Sequence, residues 1–210
     1  EELHYIDLSG KQISDKKFSE AKKFTHGFGL VNYKRRWNFI DKKGNFINET
    51  GFEDAFPFKN ELALIRVNDK WGMIKTTGLY KIEPVYEGLK NFSEGFAAFK
   101  KDGHWGFIDS NNKTIVNSIY DEVMRFSEGM AAVRSGKLWG YVDSTGQLKI
   151  DCSFSDVTDF IGGTACVLKN NKWGAIDKTG KLIVPTTYER TASAGNGMIR
   201  IKTTEGWGLI

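Results

Sequence analysis

The chain has 210 residues, 40% of them apolar, and a net charge of +4 from 30 basic and 26 acidic residues. That length allows one sizeable core or a string of small ones; no apolar run approaches the ~18 residues a membrane-spanning helix needs, and two cysteines make no disulfide framework. The mixed charge excludes the concentrated basic stripe of a nucleic-acid binder.

The chain opens on Glu1, with no basic-then-apolar leader. This start reads as a processed product or a cut fragment. Glycine is abundant at 23, proline scarce at 3, and aromatics reach 13%. That balance, with no long amphipathic run, predicts short strands and tight turns.

The six tryptophans, Trp37, Trp71, Trp105, Trp139, Trp173 and Trp207, are spaced 34 residues apart without insertion or deletion. A fixed period of this size is the signature of a repeat architecture. The units are 3–36 (with Leu3 in the Trp position), 37–70, 71–104, 105–138, 139–172 and 173–206, and 207–210 begins another. The whole of 1–210 reads as a single repeat array.

Within each unit the columns come in a constant order. Gly follows Trp at Gly72, Gly106, Gly140, Gly174 and Gly208, with Asn38 and His4 as exceptions. An Ile or Val comes two residues later, then Asp at Asp7, Asp41, Asp109, Asp143 and Asp177, replaced once by Lys75. A glycine three further on (Asn112 in one unit) completes Asp-x-x-Gly, a tight-turn pattern. So Trp-Gly-x-Ile-Asp is a strand ending in a turn. The residues after it, such as Lys113 to Val116, form a second strand. The run before Trp, such as Met130 to Arg134, forms a third, joined by hairpin residues such as Gly136-Lys137 or Asn170-Asn171. Each unit is thus a three-stranded antiparallel meander.

In Trp105-Gly106-Phe107-Ile108, Trp and Phe share one face and Gly and Ile the other. Apolar residues on both faces predict burial on both, with neighbouring units supplying the walls. The glycine is expected to let a neighbouring unit approach closely. Two aromatic columns follow the turn: Phe18, Phe52, Tyr86, Tyr120, Phe154 and Tyr188, then Phe24, Phe58, Phe92, Phe126 and Phe160, ending in Ala194. Between them, Tyr120, Val123 and Phe126 recur at every third place, which predicts a single helical or 3₁₀ turn plugging the gap between sheets.

Gly136-Lys137-Leu138-Trp139-Gly140-Tyr141-Val142-Asp143-Ser144-Thr145-Gly146 resembles the signature of the bacterial WG-repeat (KWG) family, as do Tyr120 to Val123 and Phe126 to Ala132. The resemblance covers nearly the whole chain and is weakest at Leu3 and His4. It implies a repeat of variable copy number, often in exported or envelope-associated bacterial proteins. Variable copy number in turn implies an open array. The fold expected is therefore all-β: tandem 34-residue meanders stacked as an open twisted β-solenoid, with a six-bladed β-propeller-like ring as the alternative.

The sequence assigns no catalytic, cofactor-binding or metal-ligating residue and leaves the ligand-binding residues unknown. The Trp column could stack on sugars if exposed, but large aromatics usually form repeat cores. One Asp per unit, in a turn that explains it, does not make a calcium site. His4, His26 and His104 fall in three different repeat phases. Cys152 and Cys166 sit in columns held elsewhere by small residues, which reads as core; a single bridge between them is possible but not indicated. The breaks in the repeat (Lys75, Asn112, Gly162-Gly163 and Ser193 to Gly197) bring no catalytic set, and Gly195-Asn196-Gly197 lacks the Lys and helix of a phosphate loop. A non-catalytic binding or scaffold module is expected, with a protein partner first, a glycan second, no nucleic acid and no transmembrane segment.

Overall fold

A computed structural model describes residues 3–195 and 197–210. Glu1 and Asn196, which entered the reading above, lie outside the described residues. Those residues are all-β, with no helix among them. The chain divides into two compact units, Glu1–Leu89 and Lys90–Ile210.

The first unit holds a three-stranded sheet of Glu20–Ala21, Phe28–Tyr33 and Arg36–Asp41. A four-stranded sheet of Asp54–Ala55, Leu62–Val67, Lys70–Lys75 and Tyr80–Tyr86 follows, and then the short strand Gly88–Leu89. The second unit opens with Phe96–Lys101, His104–Asp109 and Thr114–Tyr120. Two four-stranded sheets come next, Glu122–Ser127 to Leu148–Phe154 and Asp156–Val157 to Leu182–Tyr188. Arg190–Gly195, Met198–Thr203 and Gly206–Leu209 form the last sheet. Neighbouring strands within each sheet pair antiparallel, as the meander predicts.

Four of the hairpins before Trp are closed by two residues at positive φ, such as Asn68 and Asp69 (51° and 59°) or Asn170 and Asn171 (52° and 59°). Paired positive φ values match the twist of the flanking strands, and Asn and Asp tolerate them at low cost. The Asp-x-x-Gly turns form as expected: Asp143 Oδ1 accepts the N–H groups of Thr145 and Gln147 at 2.9 and 3.1 Å. Asp177 does the same for Thr179 and Lys181. Lys75 breaks the column without breaking the turn, because the Gly78 N–H still reaches the Lys75 carbonyl at 2.9 Å.

Burial on both faces also holds. Ala131, Val133 and Val142 join one core with Phe107, Val116 and Phe126. From the opposite face of the same sheet, Ala132, Trp139 and Tyr141 join another with Phe160, Val167 and Ile176. One sheet therefore supplies a wall to each of two cores, and no repeat could bury its apolar residues alone.

Two expectations are corrected. The link over Tyr120 to Phe126 is not a helical turn; Glu122–Ser127 is a strand paired with Met130–Ser135, with a register break between Val123 and Phe126. The bulge lets residues three apart, Val123 and Phe126, both face the core. The same link gives only two-residue strands at Asp54–Ala55 and Asp156–Val157. It adds a fourth strand to the predicted three. The glycine after Trp, secondly, makes room for its own sheet. A Cβ at Gly106 would lie 2.4 Å from the Val116 carbonyl oxygen, and one at Gly140 would lie 2.3 Å from that of Ile150. Both carbonyls belong to the strand that follows, which bulges over the glycine as its register shifts.

Candidate functional site

The Trp column is half-buried to buried from Trp37 to Trp173; Trp139 is 7% exposed, and only the terminal Trp207 is open, at 57%. The first five indoles pair across strands with the first aromatic column: Trp37↔Phe52, Trp71↔Tyr86, Trp105↔Tyr120, Trp139↔Phe154 and Trp173↔Tyr188. The outer side is covered too. Lys22 Nζ lies 5.8 Å from the Trp37 ring, Lys90 Nζ 4.8 Å from that of Trp105, and the Arg134 guanidinium 5.7 Å from that of Trp139. Phe56, at the repeat position of Lys22 and Lys90, stacks on Trp71 at 5.8 Å. Cation–π cover on one side and an aromatic partner across the strand make these indoles wall material.

Carboxylates form a second system, one that the sequence reading missed. Glu94 accepts the N–H groups of Glu128 and Gly129, one repeat on, at 2.7 and 2.8 Å. Glu128 accepts those of Gly162 and Gly163 at 2.6 and 2.8 Å. In each case the donating turn has two residues at positive φ, which aims two adjacent N–H groups at one point. Glu53 caps a different turn the same way, at Asn68 and Asp69, both 2.9 Å. The visible signal was Ser-Glu-Gly in two successive units; nothing in the sequence said that its Glu reaches forward. Ser93 and Ser127 reach forward as well, their hydroxyls donating at 2.7 Å to the carbonyls of Phe126 and Phe160.

Gly163 N–H is the largest cause holding the Glu128 carboxyl below the usual carboxylate range; burial opposes it, and Gly162 N–H and Lys178 add to the lowering. The Asp143 and Asp177 carboxyls are lowered first by the hydroxyls of Thr145 and Thr179. Burial pushes the Cys152 and Cys166 thiols up, which disfavours the nucleophilic thiolate. Both cysteines are free. Among the described residues no three His, Cys, Asp or Glu side chains gather as metal ligands, and His4 and His104 are exposed and far apart in sequence.

Two cavities lie in the first unit. One, of about 370 Å³, is bordered by Ile6, Leu8, Ile13, Phe24, Asp7 and Lys42. The other, of about 270 Å³, lies beside Tyr33, Lys34, Arg36, Asn38, Phe46 and Glu49. The second sits at one break in the repeat's pattern, with Asn38 in the glycine column.

These features define a tandem-repeat all-β protein whose constant residues hold the repeats together. The chain belongs to the WG containing repeat family, whose pattern matches at residues 5–37, 37–71, 71–103, 105–139, 139–173 and 173–207. No curated protein compared with the chain matches it. Among solved structures, Kluyveromyces lactis Hsv2 with loop 6CD replaced by a Gly-Ser linker is matched over 100% of this chain and 89% of its own, at TM-score 0.51 and 15% identity. A eukaryotic initiation factor is matched over 92% of this chain and 63% of its own, at TM-score 0.51 and 15% identity. Both are propeller-type proteins, and the likeness is one of fold.

Proposed function

We propose that the chain is a non-catalytic binding or scaffold module that holds a protein partner, in or at the bacterial cell envelope. One observation supports this above others. The constant columns are occupied in building the array, whereas the hairpin tips that vary between repeats, such as Asp102 and Gly103 against Asn170 and Asn171, are exposed. The envelope location rests on the family resemblance alone. A glycan-binding array would need the indoles free, and five of the six are half-buried or buried; the glycan reading therefore stands second. Among the described residues no helix is long and apolar enough to cross a membrane.

The succession of repeats is part of the proposal. An open solenoid would continue one hydrogen-bonded ladder from unit to unit. The strands instead fall into separate sheets of three or four, and the matched structures are propeller-like. Both points support the ring-like alternative. Small-angle scattering tests it: a closed body of this length has a radius of gyration near ~17 Å, and a clearly larger value favours the open array.

The binding reading is tested by capture from envelope and soluble fractions with the wild-type chain and with a tip variant, Asp102→Asn with Gly103→Asn, which keeps residues that tolerate positive φ. Partner loss in the tip variant is expected. Capture that survives tip changes but depends on Trp207, or on soluble glycan as competitor, would replace the protein reading with the glycan one.

A further inference from the structure

The cavity beside Arg36 borders Asn38, which stands in the column held elsewhere by Gly72, Gly106, Gly140 and Gly174. At Gly72, Gly106, Gly140 and Gly174 a following strand presses its carbonyl to within 2.3–2.6 Å of where a Cβ would be. In the second repeat the equivalent chain, Phe46 to Phe52, forms no continuous strand: it makes the isolated bridges Ile40↔Phe46 and Trp37↔Phe52, with the Ile47 N–H donating to the Phe39 carbonyl at 2.8 Å. Between the bridges it turns, the Gly51 N–H donating to Asn48 Oδ1 at 2.7 Å. Asn38 is 3% exposed; its Nδ2 donates to the Asn48 carbonyl at 2.8 Å and its Oδ1 accepts the Phe39 N–H at 2.8 Å.

Two cations, Arg36 and Lys34, border this opening. Arg36 Nη2 donates to the Gly51 carbonyl at 3.2 Å, while its Nε is buried without a hydrogen-bond partner. A buried guanidinium donor left unpaired is costly. Arg66 Nε is also unpartnered, but Arg66 lies over the Trp71 ring at 5.9 Å and does not border the cavity. Lys34 Nζ stands 5.2 Å over Tyr33 and Lys16 Nζ 4.9 Å over Phe46. These two rings are 5.5 Å apart and give the cavity apolar walls. Glu49 is the one carboxylate on its border, and the nearby Glu53 is engaged with Asn68 and Asp69.

We propose that this cavity binds a carboxylate carried on an apolar group, of the kind an acidic or C-terminal residue of a protein partner presents. A planar carboxylate matches the fork of a guanidinium, the ring pair takes the apolar part, and the cavity volume suits one side chain rather than a metabolite. The proposal rests on the binding-module reading and names the chemistry of one contact.

The test is an NMR titration of the chain with benzoate, following the Arg36 Nε–H and Asn38 side-chain signals, with benzamide and inorganic phosphate as comparisons. Benzoate is expected to shift both signals at millimolar concentration and benzamide to leave them. Arg36→Gln should abolish the shift in a chain whose remaining spectrum is unchanged. Glu49→Gln should tighten benzoate binding roughly threefold, the worth of removing one like charge a few ångströms away in a high dielectric. No shift by tens of millimolar, an equal response to benzamide, or tighter binding of phosphate than of benzoate overturns the proposal. In partner capture, loss in the tip variant but not in Arg36→Gln overturns it and leaves the module reading standing. Failure of the module reading, with no partner captured at all, would leave the benzoate titration to be read on its own.

Discussion

The carboxylate of Glu128 accepts the backbone N–H groups of Gly162 and Gly163, one repeat further along, at 2.6 and 2.8 Å. Glu94 makes the same grip on Glu128 and Gly129. The two grips run in series, because Glu128 presents its backbone to one repeat and its side chain to the next. Glu128→Gln keeps one acceptor and turns an NH₂ group toward the second N–H. It should cost about 1 kcal/mol, the low end for hydrogen bonds to a charged group, since the side chain is partly exposed. Glu128→Ala should cost more, and chemical denaturation reads both.

The same grip predicts acid sensitivity with a definite sign. The Glu128 carboxyl is lowered in the folded chain. Its stabilising share is therefore present above the unfolded pKa of about 4.3 and is lost as pH falls through the lower folded value. Asp143 and Asp177 act in the same direction. Thermal midpoints should fall below about pH 4.3, and Glu128→Gln should show a shallower fall than wild type.

The glycine after Trp yields a graded series. Gly140→Ala puts a Cβ 2.3 Å from the Ile150 carbonyl oxygen, so backbone must move. We expect a loss of about 2–4 kcal/mol, in the range of overpacking with backbone shift. Gly208 meets nothing nearer than Ile201 Cγ1 at 3.7 Å, and Gly208→Ala should be close to neutral. Equal losses at the two sites would show that the column serves some purpose other than close approach.

The repeat frame, the Asp turns and the double-faced burial were legible because each depends on residues close in sequence or on the period itself. The Trp-Gly dipeptide was legible as a column, but not in its cause. Whether Gly106 yields to its own sheet or to a neighbour depends on the bulge near Val116, and a bulge leaves no mark in composition. The link from Tyr120 to Phe126 misled for the same reason: a bulged strand and a helical turn both bring every third residue to one face. The Glu94 and Glu128 grips span a whole repeat, and a charged residue in an exposed turn ordinarily reads as solvated. The cavity beside Arg36 was half visible, since Asn38 was plain as an exception in its column. What the exception did to the following strand was not.

Tryptophan emission should separate wall from platform. Blue-shifted emission, poorly quenched by iodide, is expected for the column as a whole, with one readily quenched component from Trp207. Trp207→Phe should remove that component at little cost to stability. Trp139→Ala should cost about 3–5 kcal/mol, as large core truncations do. Ready quenching of all six would free the indoles for sugar and promote the glycan reading.

Tyr141 gives the alkaline counterpart. Its ring is buried against Phe160 at 4.9 Å, and its hydroxyl donates to the Thr158 carbonyl at 2.8 Å. Burial is the first cause raising its pKa well above that of an exposed tyrosine, with Cys166, Asp159 and Asp156 adding to it. A folded pKa above the unfolded one means that the stabilising share is whole below the unfolded value of about 10 and is lost above it, as the unfolded chain sheds its proton. Tyr141→Phe removes the titrating group and leaves the Thr158 carbonyl short of one donor. It should cost about 1 kcal/mol at neutral pH and blunt the loss of stability on the alkaline side. Denaturation midpoints measured on both chains through that range decide it: parallel curves would mean that Tyr141 ionises as freely in the folded chain as in the unfolded one.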